Sequence, residues 1–303
     1  MALVGLSCVL AMLAVGCSSR PGAGSEKEER APVGVKHDDL HLPIEDYLFS
    51  NAELARLTEA QFVLIGKCLR RLGLDHTLES PGPAPGPRSM TERRYGITDA
   101  GPAKVNGYRL GGTRTTRPGS LTAQMKTLAA PQRARLMVAL HGDTASGAGD
   151  GDGLRVNGVR VPAGGCAGEA AEGISGGSGK LGPGEVARRA NFASFDDSRS
   201  DPRVARVLGA WSACMKEKGY AYPDPLAAMS DSSFRGKSPT PKELRTAQAD
   251  VECKRRTDLV GVWFGVEAVL QKDMIAGNAL EFAAALTSKK SQLARAESTL
   301  ESR

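Results

Sequence analysis

Four cysteines, Cys68, Cys166, Cys214 and Cys253, are spread so widely that no two lie within 35 residues of each other. That spacing limits what the chain can fold into more than any other feature. Structural zinc sites bring cysteines in close pairs such as C-x2-C, and no such pair exists here. An even set of isolated cysteines instead suits a disulfide framework in an oxidising compartment. The remaining two of the six, Cys8 and Cys17, belong to the amino terminus and leave with it or are modified there.

That terminus agrees with export. Residues 2–16 form an uncharged run of apolar and small residues, too short to span a bilayer but suited to the apolar core of a signal peptide. The run ends in Leu13-Ala14-Val15-Gly16-Cys17 and passes into Ser18-Ser19-Arg20. Small residues before a cysteine followed by a polar stretch resemble a bacterial lipobox, in which the chain is cut before the cysteine and its thiol is lipid-modified. The pattern departs from that motif in lacking a preceding Lys or Arg and in carrying Ala14 at the third position before the cut. The expectation is a signal peptide over 1–16 and lipidation at Cys17. A polar tether over 17–41 would then hold the folded part at the extracytoplasmic face of the cell membrane.

Beyond the tether the pattern predicts a mainly α protein with long Gly/Pro-rich loops and one small β-hairpin. Ser50-Asn51 signals a helix start, with Leu54, Leu57, Phe62, Ile65 and Leu69 at helical spacing and a stop near Gly73. Prolines 81, 83, 85 and 87 exclude helix and inner strand over 80–88. A short helix is expected from Pro131 to Gly142. The alternation over 154–161 around Asn157-Gly158 is a two-residue hairpin signal. The glycine-rich stretch 173–184 reads as a flexible divider between a first module, 42–182, and a second, 183–303. In the second, Ser200-Asp201-Pro202 opens a helix through Trp211 to Gly219, and residues 220–225 form a turn. Thr240-Pro241-Lys242-Glu243 has the form of a capping box, after which the chain is expected to be helical almost to its end. There Leu259, Trp263, Val266 and Leu270 trace a core stripe, and Leu286, Leu293 and Leu300 recur every seven residues.

Four cysteines allow three pairings. The segments Cys68-Leu69-Arg70-Arg71-Leu72-Gly73-Leu74 and Cys214-Met215-Lys216-Glu217-Lys218-Gly219-Tyr220 echo each other, and each has one cysteine downstream. The echo favours two bridges, Cys68–Cys166 and Cys214–Cys253, each closing one module.

The usual chemical motifs fail on inspection. Residues 173–181 suggest a phosphate loop, but Ile174 stands where the first glycine belongs and Leu181 where Ser or Thr must follow Lys180. Asp143, Asp150 and Asp152 suggest calcium, yet Val161 occupies the position of the bidentate Glu, so a solvated loop is the reading. His37 and His41 have chelating spacing but lie in the tether before Pro43. No G-x-S-x-G elbow is present, and His141 is the single histidine near a loop serine, Ser146. The acidic pairs Asp196-Asp197 and Glu28-Glu29 fall at a helix end and in the tether. No metal, cofactor or catalytic residue is therefore expected. The 40 basic residues exceed the 34 acidic ones by only +6 and are dispersed, which argues against nucleic acid as a partner.

Several segments together are similar to a group of secreted lipoproteins of actinobacteria. They are Leu42-Pro43-Ile44-Glu45-Asp46-Tyr47, the Cys68 segment, Arg94-Tyr95-Gly96-Ile97-Thr98-Asp99, Gly107-Tyr108, Asn157-Gly158-Val159-Arg160-Val161-Pro162-Ala163-Gly164-Gly165-Cys166, and the run from Cys214 to Pro225. The resemblance covers about residues 42–300 and implies export and the cysteine framework. The family has no assigned activity, so no catalytic residue is carried over. The expected function is an envelope-anchored, non-enzymatic binding or interaction module whose partners are the membrane, through the lipid, and an envelope protein or cell-wall material. Tyr95, Tyr108, Trp211, Tyr220 and Tyr222 are the aromatics expected at a contact surface or packed around the disulfides and turns. Two alternatives stand beside this reading: a wall-active hydrolase using His141 or Asp143, and a structural or sensory module that pairs through its carboxyl-terminal helix.

Overall fold

A computed structural model describes residues 40–76, 93–110, 121–142 and 153–302. The expected signal peptide, Cys17, most of the expected tether with His37, the alternating prolines, and Asp143, Ser146, Asp150 and Asp152 lie outside these residues. Among the described residues the protein consists of eleven α-helices, two short 3-10 helices and one antiparallel hairpin.

Local signals account for many of the boundaries. A 3-10 helix, Pro43–Tyr47, leads into α1, Asn51–Arg71. Ser50 Oγ accepts from the Glu53 N–H, and the Glu53 carboxylate accepts from the Ser50 N–H, a closed capping box. Next come α2 (Ala100–Asn106), α3 (Leu121–Thr127) and α4 (Ala130–His141), the last with proline in its first turn and Gly142 at its end. The hairpin pairs β1, Arg155–Val156, with β2, Val159–Arg160. Asn157 and Gly158 both have positive φ, 52° and 79°, as the expected tight turn requires. After it come α5 (Gly165–Ser175), α6 (Glu185–Arg199), α7 (Pro202–Glu217) and the short α8 (Pro225–Met229), then a 3-10 helix, Ser232–Phe234.

The terminal region differs from the expected near-continuous helix. It is three helices, α9 (Pro241–Thr257), α10 (Leu259–Gly277) and α11 (Ala279–Glu301). Asp258 sits in the left-handed region at φ 50°, where its N–H still bonds to the Lys254 carbonyl while the chain turns away. The second break falls at Gly277-Asn278. The capping box at Thr240 is half made. Thr240 accepts from the Glu243 N–H, but the Glu243 carboxylate is paired with Arg109 instead of returning to the cap.

Packing does not follow the expected division at residue 182. The largest core cluster joins α6, α7, α9, α10 and the start of α11 to Leu42, Ile44, Leu48, Tyr95, Ile97 and Tyr108 from the amino-terminal half. A second cluster lies around Cys68, Leu136, Leu140, Val156 and Cys166. A third joins Phe49, Leu57 and Ala60 of the first half to Ala296, Leu293 and Leu300 of α11. Leu293 and Leu300 of the seven-residue repeat are thus seated on α1 of the same chain, as core packing of a long helix requires. The stretch expected as a flexible divider is also held in place: Gln292 of α11 bonds both the N–H and the carbonyl of Gly182. Among the described residues no helix is long and apolar enough to cross a membrane.

The bridges are Cys68–Cys166 and Cys214–Cys253, as the echo favours. The first ties α1 to α5 and the second ties α7 to α9; all four cysteines are buried. The bridges close loops of 98 and 39 residues, which corresponds to about 5 and about 4 kcal/mol of lost unfolded-chain entropy. Replacing Cys214 and Cys253 with alanine should lower the unfolding free energy by about 4 kcal/mol, read from denaturant titration. A change below about 1 kcal/mol would contradict the entropic account.

Candidate functional site

The chemistry of the described structure is concentrated in charges buried inside the largest core. Glu267 lies in the middle of α10 and is fully buried, with Arg94 beside it at 7% side-chain exposure. Arg94 Nε donates to Glu267 Oε1 at 2.7 Å, and the rest of its guanidinium bonds Asn191 through the Oδ1 and the carbonyl. Tyr95 donates its hydroxyl to Glu267 Oε2 at 2.8 Å; Ser194 Oγ and Gln271 Nε2 donate to Oε1 at 3.0 and 3.2 Å. Gln271 in turn accepts from the Ile44 N–H, so the same centre fixes the incoming chain. Phe195 stacks under the Arg94 guanidinium at 4.8 Å and lies against Trp263.

A second centre surrounds Asp250 on α9. Trp211 Nε1 donates to Asp250 Oδ1 at 2.9 Å, and Lys254 Nζ donates to Oδ2 at 3.0 Å and to the Ile97 carbonyl at 2.8 Å. Burial pushes the Asp250 carboxyl up and the Lys254 ammonium down, and each is opposed by the charge of the other. A third centre is Glu243, fully buried, whose carboxylate accepts from Arg109 Nε at 3.1 Å and from its terminal nitrogen at 3.0 Å. Arg109 also bonds the carbonyls of Phe234 and Gly236. Two glycines make the approach feasible. Gly96 has φ 80°, and a Cβ there would meet Lys254 Nζ at 2.6 Å; Gly107 has φ 60°, and a Cβ would meet Glu243 at 2.8 Å.

Of the two alternatives for the aromatics, contact surface or packing, Trp211, Tyr95 and Tyr108 take the second: all three are core residues, and the contact-surface alternative is corrected for them. The Trp211 N–H and the Tyr95 hydroxyl are anchored on buried carboxylates, whereas Tyr108 is held by stacking on Phe234 and its buried hydroxyl makes no hydrogen bond among the described residues. Tyr220 and Tyr222 stay half-exposed, and Tyr222 donates to Asp231 at 2.6 Å. His141 ends α4 in an exposed position, and Asp196 and Asp197 lie on the exposed side of α6. Neither is brought to a common site. Among the described residues no three metal-ligating side chains cluster.

A surface cleft of about 380 Å3 opens beside the 3-10 helix at Pro43–Tyr47. Its walls carry His41, Asp46, Glu53 and Lys289 over the Phe49 ring. Lys289 lies 3.4 Å from Glu53 and bonds the Asp46 carbonyl, and His41 bonds Asp46 at 2.9 Å.

No family, curated protein or solved structure matches this chain.

The buried carboxylates went unflagged in the sequence, although one signal was present. Glu267 is the only charge in the apolar stretch from Leu259 to Gln271, where a carboxylate has no access to solvent and needs a partner. Which cation it takes is not local information, since Arg94 lies 173 residues away.

Two predictions follow from these centres. Glu267→Gln leaves Arg94 buried without its counter-charge and should cost about 3–5 kcal/mol of stability in a denaturant titration. Arg188→Ala, which breaks an exposed pair with Glu185, should change it by less than about 1 kcal/mol. The second concerns alkaline pH. Burial, then the Glu267 charge, raises the Tyr95 phenol; burial, then Asp250, raises Tyr108. An unfolded phenol ionises near about pH 10 while these two stay protonated, so their contribution is complete below that pH and declines above it. The absorbance of their tyrosinates at about 295 nm should then rise only together with loss of the helical signal. Tyr108→Phe should make the fall of stability above about pH 10 shallower.

Proposed function

We propose that this protein is a lipid-anchored module on the extracytoplasmic face of the cell membrane that acts by binding an envelope protein or cell-wall material and not by turnover. The observation that carries the reading is the pair of buried disulfides, Cys68–Cys166 and Cys214–Cys253. Bridges of this kind persist where the surroundings are oxidising, so they are compatible with an exported domain. The run before Cys17 and the polar tether support attachment by lipid, and the similarity to secreted actinobacterial lipoproteins points the same way. The ionisable groups inside the fold support a binding role. Glu243, Asp250 and Glu267 are each engaged by several fixed donors, an arrangement that holds segments together and offers no free acid or base.

The deciding measurement is the intact mass of the protein from its native membrane fraction, before and after reduction. A chain beginning at Cys17 with a diacylglycerol adduct, gaining about 4 Da on reduction, is the expected result. An unlipidated chain with free thiols would overturn both anchor and compartment. On the binding side, cross-linking in intact cells is expected to capture a defined envelope protein or wall fragment, and repeated failure to capture either would count against the role.

A further inference from the structure

Residues 93–110 contact the rest of the protein much as a bound peptide would. Their own regular structure is one seven-residue helix, α2, and the apolar side chains Tyr95, Ile97, Ala103 and Tyr108 all belong to the core cluster built from α6, α7, α9 and α10. None joins the clusters around Cys68 or Phe49, although the Cys68–Cys166 bridge encloses the segment in sequence. Attachment is at three separated points: Arg94 and Tyr95 on Glu267, the Ile97 carbonyl on Lys254, and Arg109 on Glu243. Glycine is required at two places between them, Gly96 and Gly107, where the backbone presses against Lys254 and Glu243.

Part of the receiving face is held by bonds that do not involve the strap. Ser194 and Gln271 hold Glu267, Trp211 and Lys254 hold Asp250, and the Thr240 cap fixes the first turn that carries Glu243. Two fully buried carboxylates on such a face need cations, because an unpaired buried charge is strongly unfavourable. The partners are arginines whose planar donors also satisfy carbonyls and amides around the carboxylate: Asn191 for Arg94, Phe234 and Gly236 for Arg109. A lysine has neither the reach in two directions nor the donor geometry to do the same.

We infer that residues 93–110 are an intramolecular ligand, and that the face of α6, α9 and α10 beneath them is a recognition site for an arginine-bearing peptide segment, closed in the free protein by its own strap. The partner it fits is a chain segment presenting an Arg-Tyr pair and a second arginine at the spacing of Arg94 and Arg109. Tethering on both sides gives the strap a high effective concentration, so a competing segment enters only when the strap is displaced. The inference rests on packing within the protein and is independent of where the protein is anchored.

The test uses the whole oxidised chain with one specific protease site between Ala84 and Pro85 and a second between Thr115 and Thr116. After both cuts the two flanking pieces remain joined by Cys68–Cys166. The freed strap should stay bound, and a fluorescent synthetic peptide of residues 93–110 should exchange into the cut protein while the uncut protein excludes it. Peptides carrying R94A or R109A should bind at least about 100-fold more weakly, and R94K at least about tenfold. Helical content of the cut protein, read by circular dichroism, accompanies each measurement. Unfolding on cutting, a strap that never exchanges, equal binding to the uncut protein, or variant peptides that bind as well as the natural one would each overturn the inference.

Discussion

The contact between Arg94 and Glu267 links parts of the chain that local forces would leave apart. Glu267 is surrounded by apolar residues of α10, and a carboxylate there is tolerable only if its charge is met and its lone pairs are filled. Arg94 supplies the charge, while Tyr95, Ser194 and Gln271 supply further donors. Through Gln271 the same centre holds Ile44, where the described chain begins its folded path. The position of the amino-terminal segment, the course of the strap and the packing of α6 on α10 therefore depend on one desolvated charge being satisfied. Apolar burial would bring these elements together in several registers; a network of directed bonds admits one.

The two disulfides work at a different level. Each joins a pair of helices that already pack, α1 with α5 and α7 with α9, so their main effect is on the unfolded chain. The larger loop runs out from the cluster around Cys68, crosses the opposite core as the strap, and returns to Cys166. Covalent closure and buried ion pairing thus act on the same stretch from two directions. The bridge restricts where the strap can go, and Glu267, Lys254 and Glu243 hold it where it lies.

Much of the helical architecture was legible because helix ends depend on atoms a few residues apart. Ser50 with Glu53, Asp201 with Pro202, and Pro131 with Gly142 each marked a boundary that the structure keeps. Asn157-Gly158 marked the hairpin for the same reason, since few other pairs accept two positive φ values. The helices α2, α5, α6 and α8 carried weaker signals. Two of them begin at or beside glycine, and α2 and α8 are only seven and five residues long, so tertiary packing and not propensity sustains them. The aromatics were harder still. Tyr95 and Trp211 have polar atoms that suit either a surface or a buried bond, and only the placement of Glu267 and Asp250 decided for the interior.

The sequence by itself determined the helical class, most of the long helices, the hairpin, and a cysteine spacing suited to two bridges, because these follow from backbone geometry, side-chain period and short-range capping. It did not determine where the terminal helix breaks, that α11 lies on α1, or that Glu267, Lys254 and Glu243 hold residues 93–110 on the opposite half. Those outcomes turn on desolvation. A charge or an apolar stripe is favourable or costly according to what surrounds it, and residues more than a hundred positions apart become neighbours only once the fold has closed.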